Sequence, residues 1–522
     1  MKEFLLRHAG QVTGILFGAD RLLFRGTLRS LSCPRVMEAY CAANRVLLKD
    51  FGKHVLQVST RVKQAAYAAM NKLKRPVRYL SSPETKKEEV AQKIAQEDDV
   101  RRGPIALLTC VETCRSYSLY HNRETQLLEL QYGLRRCLHL YWYQIHPVFG
   151  FMHVRLQTWF PFMIHVCLNG REWLARQMDR AGLGYVRHEN CFTQLADVER
   201  AQALFDAQLK ASWPSLLNDL AEEINPLRTE IFAQFLQSYY WSVHQSEFAT
   251  DVMFKEPQAL AALYPGLTRH AITTFGSGDV LRFLGRHTTP SGRVDGHFQG
   301  EIVSDYKRRP EGVRVVHRVS RNSLKMYDKQ ACILRVETTI NDPRDFKQYR
   351  RAEGVPNSPK KWRIMRRGIA DLHRRAQVSK AANERYLDAL AAVKQPEPLH
   401  QITEPLCRPT TWNKRRARAL NPLAPEDAAL LTAVNRGEFQ LNGFRNRDLR
   451  PLLFSVTPSE ALPKRRQSAA VTRKIRLLRA HGLVQKITGT HRYKLTALGR
   501  RAVTALVCAR QTSIESLAKE VA

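Results

Sequence analysis

The sequence predicts an α+β multidomain protein with a mixed α/β core, an antiparallel sheet and a basic helical segment. The 522 residues are too many for one hydrophobic core of the usual size, so several domains are expected. Apolar residues make up 44% of the chain, a fraction typical of globular rather than disordered proteins. Segments with the 3.6-residue period of helices also occur beside segments that alternate like strands, which indicates mixed secondary structure.

The order of elements follows from these periodicities and from the turn residues between them. The segments predicted to be strands are 55–62, 104–112, part of 159–168 and, as an antiparallel meander, 301–307, 312–319, 322–329 and 333–340. The segments predicted to be helices are 89–100, 171–184, 197–213 and the very basic stretch 359–393. A proline-rich stretch without an apolar period then indicates a linker.

Six regions are predicted from these changes. They are an N-terminal α/β basic region (1–100), a mixed α/β region (101–260), an antiparallel sheet region (261–350), a basic helical segment (351–394), a linker (395–425) and a C-terminal nucleic-acid-binding domain (426–522).

The charge of the chain points to a polyanionic partner. The 83 lysines and arginines exceed the 48 acidic residues, giving a formal net charge of +35. A folded protein this basic is expected to bind nucleic acid, with DNA first and RNA left open. Apolar runs are too short or too interrupted for a signal peptide or a membrane span, so we expect a cytoplasmic protein that does not enter a membrane. No phosphate-binding loop is present in the sequence, so no nucleotide cofactor is expected. The sequence leaves the oligomeric state open, with a homodimer as one alternative.

Residues 323–340 are predicted to form a hairpin with one apolar and one polar face. Side chains alternate between the faces of a strand, which places Leu324 and Met326 opposite the polar side chains. The polar face then gathers groups that could bind or activate a phosphodiester, namely Lys325, Tyr327, Lys329, Arg335 and Glu337. Three interpretations stay open for this face: a solvated surface, a passive nucleic-acid platform, or a site that cleaves a phosphodiester.

The segment RNSLKMYDK followed by LRVE, within residues 321–340, resembles part of the rolling-circle replication initiators of small plasmids. The resemblance implies a tyrosine nucleophile and metal-binding acids on an antiparallel sheet. Tyr327, Glu337, Lys325 and Arg335 are therefore the predicted catalytic residues. Glu301, Asp305 and Glu337 are the predicted ligands of Mg²⁺ or Mn²⁺, since carboxylates bind such hard cations. The pair of histidines that flank one apolar residue in the largest class of these initiators is absent.

The C-terminal region is predicted to be a winged helix, which completes the fold class. Helices are expected in 425–437, 446–454 and 468–484, followed by strands 483–487 and 493–496 and a last helix from Gly499. The runs SAAVTRKIRLLRAHGLV and HRYKLTALGR resemble winged-helix domains of bacterial regulators of the multiple-antibiotic-resistance type. That resemblance implies DNA contacts by the third helix and the wing, through Thr472, Arg473, Lys474, Arg476, Arg479, His491 and Arg492.

Two further groups of basic residues are expected to bind the nucleic-acid backbone. Arg21, Arg25 and Arg29 lie four residues apart and would share one face of a helix. The second group lies in the basic segment and comprises Lys360, Lys361, Arg363, Arg366 and Arg367.

The function that these observations predict is nucleic-acid binding by a DNA-processing component of a mobile or replicating element. It would act as a metal-dependent DNA endonuclease or strand transferase, with the winged helix locating the site. The alternative is a non-catalytic DNA- or RNA-binding protein, either a ribonucleoprotein partner or a transcription regulator.

Overall fold

The computed structural model describes most of the chain. The described residues are 1–286, 294–296, 298–309, 312–352, 354–355, 357–391, 399–413, 415–436, 439, 443–455 and 460–511. No helix within these residues is both long and apolar enough to cross a lipid bilayer.

Strands and helices both occur throughout the described chain, which confirms the α+β class. The strands are β1 (Val12–Thr27), β2 (Val77–Leu80), β3 (Gly103–Asn122), β4 (Leu127–His146), β5 (Gly150–Gln157), β6 (Ile164–Asn169), β7 (Tyr185–His188), β8 (Cys191–Leu195), β9 (Tyr240–Phe254), β10 (Ile302–Arg309), β11 (Gly312–Val319), β12 (Asn322–Lys329), β13 (Ile333–Ile340), β14 (Lys347–Arg350), β15 (Lys361–Ile364), β16 (Thr410–Trp412), β17 (Arg415–Ala417), β18 (Val484–Lys486) and β19 (Tyr493–Leu495). The helices are α1 (Lys2–His8), α2 (Pro34–Ala43), α3 (Phe51–Lys72), α4 (Lys87–Glu97), α5 (Gly170–Ala181), α6 (Val198–Ala207), α7 (Trp213–Ile224), α8 (Arg228–Ile231), α9 (Pro257–Thr273), α10 (Ser277–Phe283), α11 (Leu372–Ala391), α12 (Leu399–Thr403), α13 (Pro425–Val434), α14 (Asn446–Leu453), α15 (Ala461–Ala480) and α16 (Ala497–Gln511).

The chain divides into two compact units, each built from separate stretches of sequence. The sheet unit comprises Gly10–Leu260 and Arg321–Glu384. The terminal unit comprises Met1–Ala9, Ala261–Ser320 and Arg385–Ala522. The predicted regions are consecutive segments, whereas these units interleave along the chain, since strands distant in sequence pair with one another.

One large sheet organises the sheet unit. Its strands lie in the order β12-β13-β9-β1-β6-β5-β4-β3-β2. The pair β2–β3 is parallel, and β9 pairs antiparallel with both β1 and β13. One face of β1 presents Leu22 and Phe24 to a buried apolar cluster, in which Phe24 lies against Trp213 of α7 with ring centroids 4.9 Å apart. The opposite face of β1 carries Arg21 and Arg25, so this strand has one apolar and one basic side.

Residues 55–62, predicted as a strand, lie within helix α3, so that prediction is wrong. The buried side chains of α3 recur every three or four residues, at Val55, Val58, Val62 and Ala66. Valine has an intrinsic preference for strands, and this preference led to the wrong prediction. The buried positions, however, have the spacing of a helix, and burial of that face determines the structure. The strand expected within 159–168 is present as β6, and helix α5 ends at Gly182 in the left-handed conformation, as expected for a helix terminus.

The basic segment 359–393 is also only partly helical. Strand β15 occupies Lys361–Ile364 and pairs with β14, and helix α11 begins at Leu372. In this antiparallel pair Lys347 lies opposite Ile364 and Arg350 lies opposite Lys361, so the stretch before the helix is held in a two-stranded sheet.

The predicted linker contains ordered structure in its described part, while residues 395–398 lie outside the described residues. It includes α12 and the hairpin β16–β17. Leu406 and Leu420 are buried in the same apolar cluster as Val471, Ile475 and Leu478 of α15. This stretch therefore packs as part of the terminal unit.

Candidate functional site

The predicted hairpin is present as β12 and β13, and its polar residues face one another. Lys325 pairs with Glu337, and Tyr327 pairs with Arg335. The interpretation of this face as a solvated surface is wrong, because Arg335 and Glu337 are 0% and 2% exposed. Burial of ionised groups is costly unless they are paired, so their partners define the site.

Acidic side chains from the neighbouring strands meet the hairpin on this face. Asp251 of β9 lies opposite Arg335, and Glu247, four residues earlier in the same strand, lies opposite Thr339. The pairing of β1 with β9 is irregular between Ala19 and Arg21, where Asp20 is inserted. We call the group formed here the polar cluster; it consists of Asp20, Glu247, Asp251, Lys325, Tyr327, Arg335 and Glu337.

Arg335 is held by carboxylates on two strands. Its Nε and Nη2 donate to Asp251 Oδ1 and Oδ2 at 2.6 and 2.8 Å, and its Nη1 donates to Asp20 Oδ1 at 3.2 Å. Burial raises the pKa of Asp251, but Arg171 and Arg335 outweigh it, so the pKa lies below its usual value. The guanidinium is thus fully engaged within the protein, and we assign Arg335 a positioning role rather than contact with a substrate.

Arg171 reaches the same acids from helix α5. Its Nη2 lies 3.2 Å from Asp251 Oδ2, and its side chain is fully buried. The side chain of Asn169 caps α5 by accepting from the backbone N–H of Arg171 at 2.8 Å. Gly170 lies so close to the backbone of Ala19 that a Cβ would clash with it, which lets α5 start directly beside Asp20.

Tyr327, Glu337 and Lys325 form a hydrogen-bonded chain. Tyr327 Oη donates to Glu337 Oε2 at 2.8 Å, and Lys325 Nζ donates to Glu337 Oε1 at 2.6 Å and to Glu247 Oε1 at 3.2 Å. Burial raises the pKa of Glu337, but Lys325 and Tyr327 outweigh it and hold it below the usual value. Burial and the Glu337 carboxylate raise the pKa of Tyr327 well above its usual value. The phenol is therefore protonated at rest, and its O–H donates to an ionised carboxylate.

Three carboxylates of the polar cluster are close enough to share a cation. Oxygens of Asp20, Glu247 and Glu337 all lie within 4.8 Å of one another. Burial raises the pKa of both Asp20 and Glu247, and the Glu337 charge raises each further. Such mutual repulsion is relieved when a divalent cation with oxygen ligands binds between the groups.

This arrangement differs from the predicted metal site. Glu337 is grouped with Asp20 and Glu247, and among the described residues no such group includes Glu301 or Asp305. Asp305 lies in β10 and accepts from Arg318 Nη1 at 2.8 Å, while Glu301 precedes that strand. The prediction placed Glu301 and Asp305 together because both lie on one face of a predicted strand. Sharing a face does not determine how far the two residues lie from Glu337.

A cavity of about 750 Å³ lies against the polar cluster. Asp20 and Glu247 contribute to its wall, together with the cationic side chains of Arg21, Arg187 and Lys329. Arg21 also forms an ion pair with Glu88 at 2.9 Å. The cavity thus joins acidic groups that could hold a cation to basic groups that could hold an anion.

The basic residues predicted in the N-terminal region do not lie on a helix. Arg21 and Arg25 belong to strand β1, where Arg25 lies opposite His165 of β6. Arg29 lies beyond the strand, with its guanidinium carbon 3.4 Å from the ring centroid of Tyr240. The expected four-residue spacing therefore does not produce one shared helical face.

The second predicted basic group is divided between a strand and a loop. Lys361 and Arg363 lie in β15, and Lys360 directly precedes it. Arg366 and Arg367 follow the strand, and Arg367 lies 3.6 Å from Asp342. The group is not the basic helix that the sequence indicated.

Among the described residues of the C-terminal region, helices α13, α14 and α15 are followed by the antiparallel strands β18 and β19 and by helix α16, which is the expected order. Thr472, Arg473 and Arg476 are exposed on α15, and Lys474 Nζ lies 3.3 Å from Glu426. The residues predicted for the wing lie between β18 and β19, where His491 is exposed. Arg492 Nη1 donates to the Gly443 carbonyl oxygen at 3.2 Å.

Glu247 and Asp251 are the main residues of the polar cluster that the sequence interpretation did not select. They lie four residues apart in β9, where an acidic residue within a mostly apolar strand is the available signal. Asp20 directly precedes the predicted phosphate contact Arg21, and it was not among the predicted metal ligands. Comparisons with protein-family models, curated proteins and solved structures find no match for this chain.

Proposed function

We propose that the protein binds DNA and nicks or rearranges it at the polar cluster, with Tyr327 as the nucleophile. The observation that carries this proposal is the Tyr327–Glu337–Lys325 chain beside three carboxylates that lie within 4.8 Å of one another. A net charge of +35 supports a polyanionic substrate. A component that serves the replication or mobility of a DNA element fits this chemistry.

The residues present supply each part of a tyrosine transfer reaction. Tyr327 Oη forms a bond to phosphorus and gives its proton to Glu337 Oε2, while the bond from phosphorus to the 3′ oxygen breaks. The departing 3′ oxygen takes a proton from water. Lys325 offsets negative charge beside Glu337, and Asp20, Glu247 and Glu337 would hold Mg²⁺ or Mn²⁺, which supplies charge neutralisation at the phosphate oxygens.

The C-terminal region has the proposed role of locating the DNA. The order α13, α14, α15, β18, β19 and α16 is that of a winged helix, and exposed arginines on α15 suit contact with a polyanion. The site of action would then be selected by the terminal unit and the chemistry performed in the sheet unit.

The proposal is tested with labelled single-stranded and supercoiled DNA, with EDTA, Mg²⁺ or Mn²⁺. Cleavage should require the cation, and Tyr327→Phe should abolish it while binding stays near that of the wild type, because a group needed only in the transition state is lost. Tyr306→Phe is the matched control, since Tyr306 is 63% exposed and lies outside the cluster. Cleavage that survives Tyr327→Phe would contradict the assigned nucleophile.

A second candidate function is nucleic-acid binding without cleavage. The favouring observation is that Lys325 Nζ already lies between Glu247 and Glu337, so an internal cation balances part of the acidic group. On this account neither Mg²⁺ nor Mn²⁺ produces cleavage, while DNA or RNA still binds.

A further inference from the structure

A basic groove runs between helix α15 and the hairpin β16–β17 of the terminal unit. It has a volume of about 950 Å³. Arg415 and Arg416 line it from the hairpin, and Arg473 and Arg476 line it from the helix. The hairpin belongs to the stretch that the sequence indicated to be a linker, so its contribution to a binding surface was not expected.

The charges of the groove are largely unbalanced. Arg418 is neutralised by Asp427, with Nη2 and Oδ1 2.6 Å apart, and Lys474 lies 3.3 Å from Glu426. Among the described residues, by contrast, no acidic side chain forms an ion pair with the guanidinium groups of Arg415, Arg416, Arg473 or Arg476, all of which are exposed. Like charges held together in this way favour binding of an anion with several negative groups.

An aromatic ring lies within the same groove. The guanidinium carbon of Arg479 is 4.7 Å from the ring centroid of Trp412, so the ring holds this cation against the wall. Trp412 is itself half-buried in the groove. A cationic groove with an aromatic wall is the arrangement that proteins use to bind single-stranded nucleic acids.

The hairpin also restricts how α15 can approach a duplex. A helix with its side chains is about 10–12 Å wide, which is about the width of the DNA major groove. Arg473 and Arg476 line a groove whose second wall is β16–β17, so a nucleic acid that contacts these arginines within the groove also meets the hairpin.

We propose that this groove binds the backbone of single-stranded nucleic acid, with Arg415, Arg416, Arg473 and Arg476 as phosphate contacts. The inference rests on the proposed function, since it assigns the strand-binding surface of the same protein. Arg479 and Trp412 form the wall along which the strand lies.

The test measures binding of a labelled 20-nucleotide DNA strand to the full chain by fluorescence anisotropy, in EDTA to prevent cleavage. Arg415→Ala with Arg416→Ala should weaken binding by about tenfold or more, and should reduce the salt-dependence slope by about 1.4, as expected for two lost contacts to a single strand. Arg465→Ala with Arg466→Ala is the matched control, because it removes the same charge from exposed positions of α15 outside the groove. The wild type should bind the strand more tightly than the duplex of the same sequence.

Three results would overturn the proposal. The first is an equal loss of affinity in the groove variant and the control variant. The second is binding of the duplex through the same arginines with the affinity of the single strand. The third is competition by poly-glutamate as effective as that by the strand, which would indicate an acidic protein ligand. Cleavage is read separately in Mn²⁺. If the groove variant loses binding and the wild type does not cleave DNA, only the catalytic proposal is refuted. If the wild type cleaves DNA and the groove variant binds the strand as well as the wild type does, only the proposed binding role of the groove is refuted.

Discussion

Replacing Arg335 by methionine should strongly destabilise the sheet unit. The substitution keeps much of the side-chain length but removes four hydrogen bonds, to Asp251 Oδ1 and Oδ2, to Asp20 Oδ1 and to the carbonyl oxygen of Asn190. Removing one partner of a buried ion pair costs about 3–5 kcal/mol, because the remaining charge stays buried without its partner.

The remaining contacts set the expected value within that range. Asp251 keeps Arg171 at 3.2 Å, and Asp20 keeps the side-chain amide of Asn190 at 2.9 Å. These contacts retain part of the compensation, so we expect a loss near about 3 kcal/mol in the free energy of unfolding. Arg335→Lys should recover little of it, because an ammonium group cannot bind both oxygens of Asp251 in the planar geometry of a guanidinium.

The assay is urea unfolding followed by tryptophan fluorescence. Of the seven tryptophans, all except Trp412 belong to the sheet unit, so the signal reports mainly on that unit. Arg321→Met is the control, since Arg321 is exposed just before β12 and should change the free energy of unfolding by less than about 0.5 kcal/mol. A loss below about 1 kcal/mol for Arg335→Met would refute the assigned role of the buried ion pairs.

Three further outcomes follow from the same arrangement. Mn²⁺ should raise the melting temperature of the wild type but not of Glu247→Gln. The shift should shrink as the pH falls, because protons compete with the cation for Asp20 and Glu247, whose pKa values are raised by burial. An equal shift in both proteins would contradict the cation site. The pKa values of Asp251 and Glu337 are lowered, so these groups stabilise the fold above their ordinary pKa values of 3.8 and 4.5, and the stabilisation is lost as the pH falls through the lowered values. Glu337→Gln should therefore make the free energy of unfolding depend less steeply on pH in the acid range. An unchanged dependence would count against the Lys325–Glu337 pair. Affinity for DNA should fall steeply between about 50 and 200 mM salt, whereas a flat dependence would remove the polyanion interpretation.

The sequence predicted the local parts of the site better than their assembly. Alternation within residues 323–340 was enough to place Lys325, Tyr327 and Glu337 on one face, because that periodicity is a property of the strand itself. It could not show that β9 and β1 lie beside β13, since this pairing joins Glu337 to Glu247 and Asp20 across long stretches of chain. The acidic group was therefore assigned to Glu301 and Asp305, which are closer in sequence.

Errors in the secondary structure have a similar physical origin. Valine-rich residues 55–62 favour a strand locally, yet helix α3 buries Val55, Val58 and Val62 on one side. The prolines near residues 395–425 indicated a linker, but Leu406 and Leu420 become buried against the C-terminal helices. In both cases tertiary burial decided a conformation that composition left open.

The measurement that most directly tests the central claim is detection of a covalent bond between Tyr327 and DNA. The full chain is incubated with a 3′-labelled or internally labelled single strand and Mn²⁺, denatured, and separated from free DNA, and the attached peptide is identified by mass spectrometry. The account predicts a phosphotyrosine link at Tyr327, its loss in Tyr327→Phe and its retention in Tyr306→Phe. Cleavage without any adduct, or an adduct at another residue, would contradict the proposal that the polar cluster activates Tyr327.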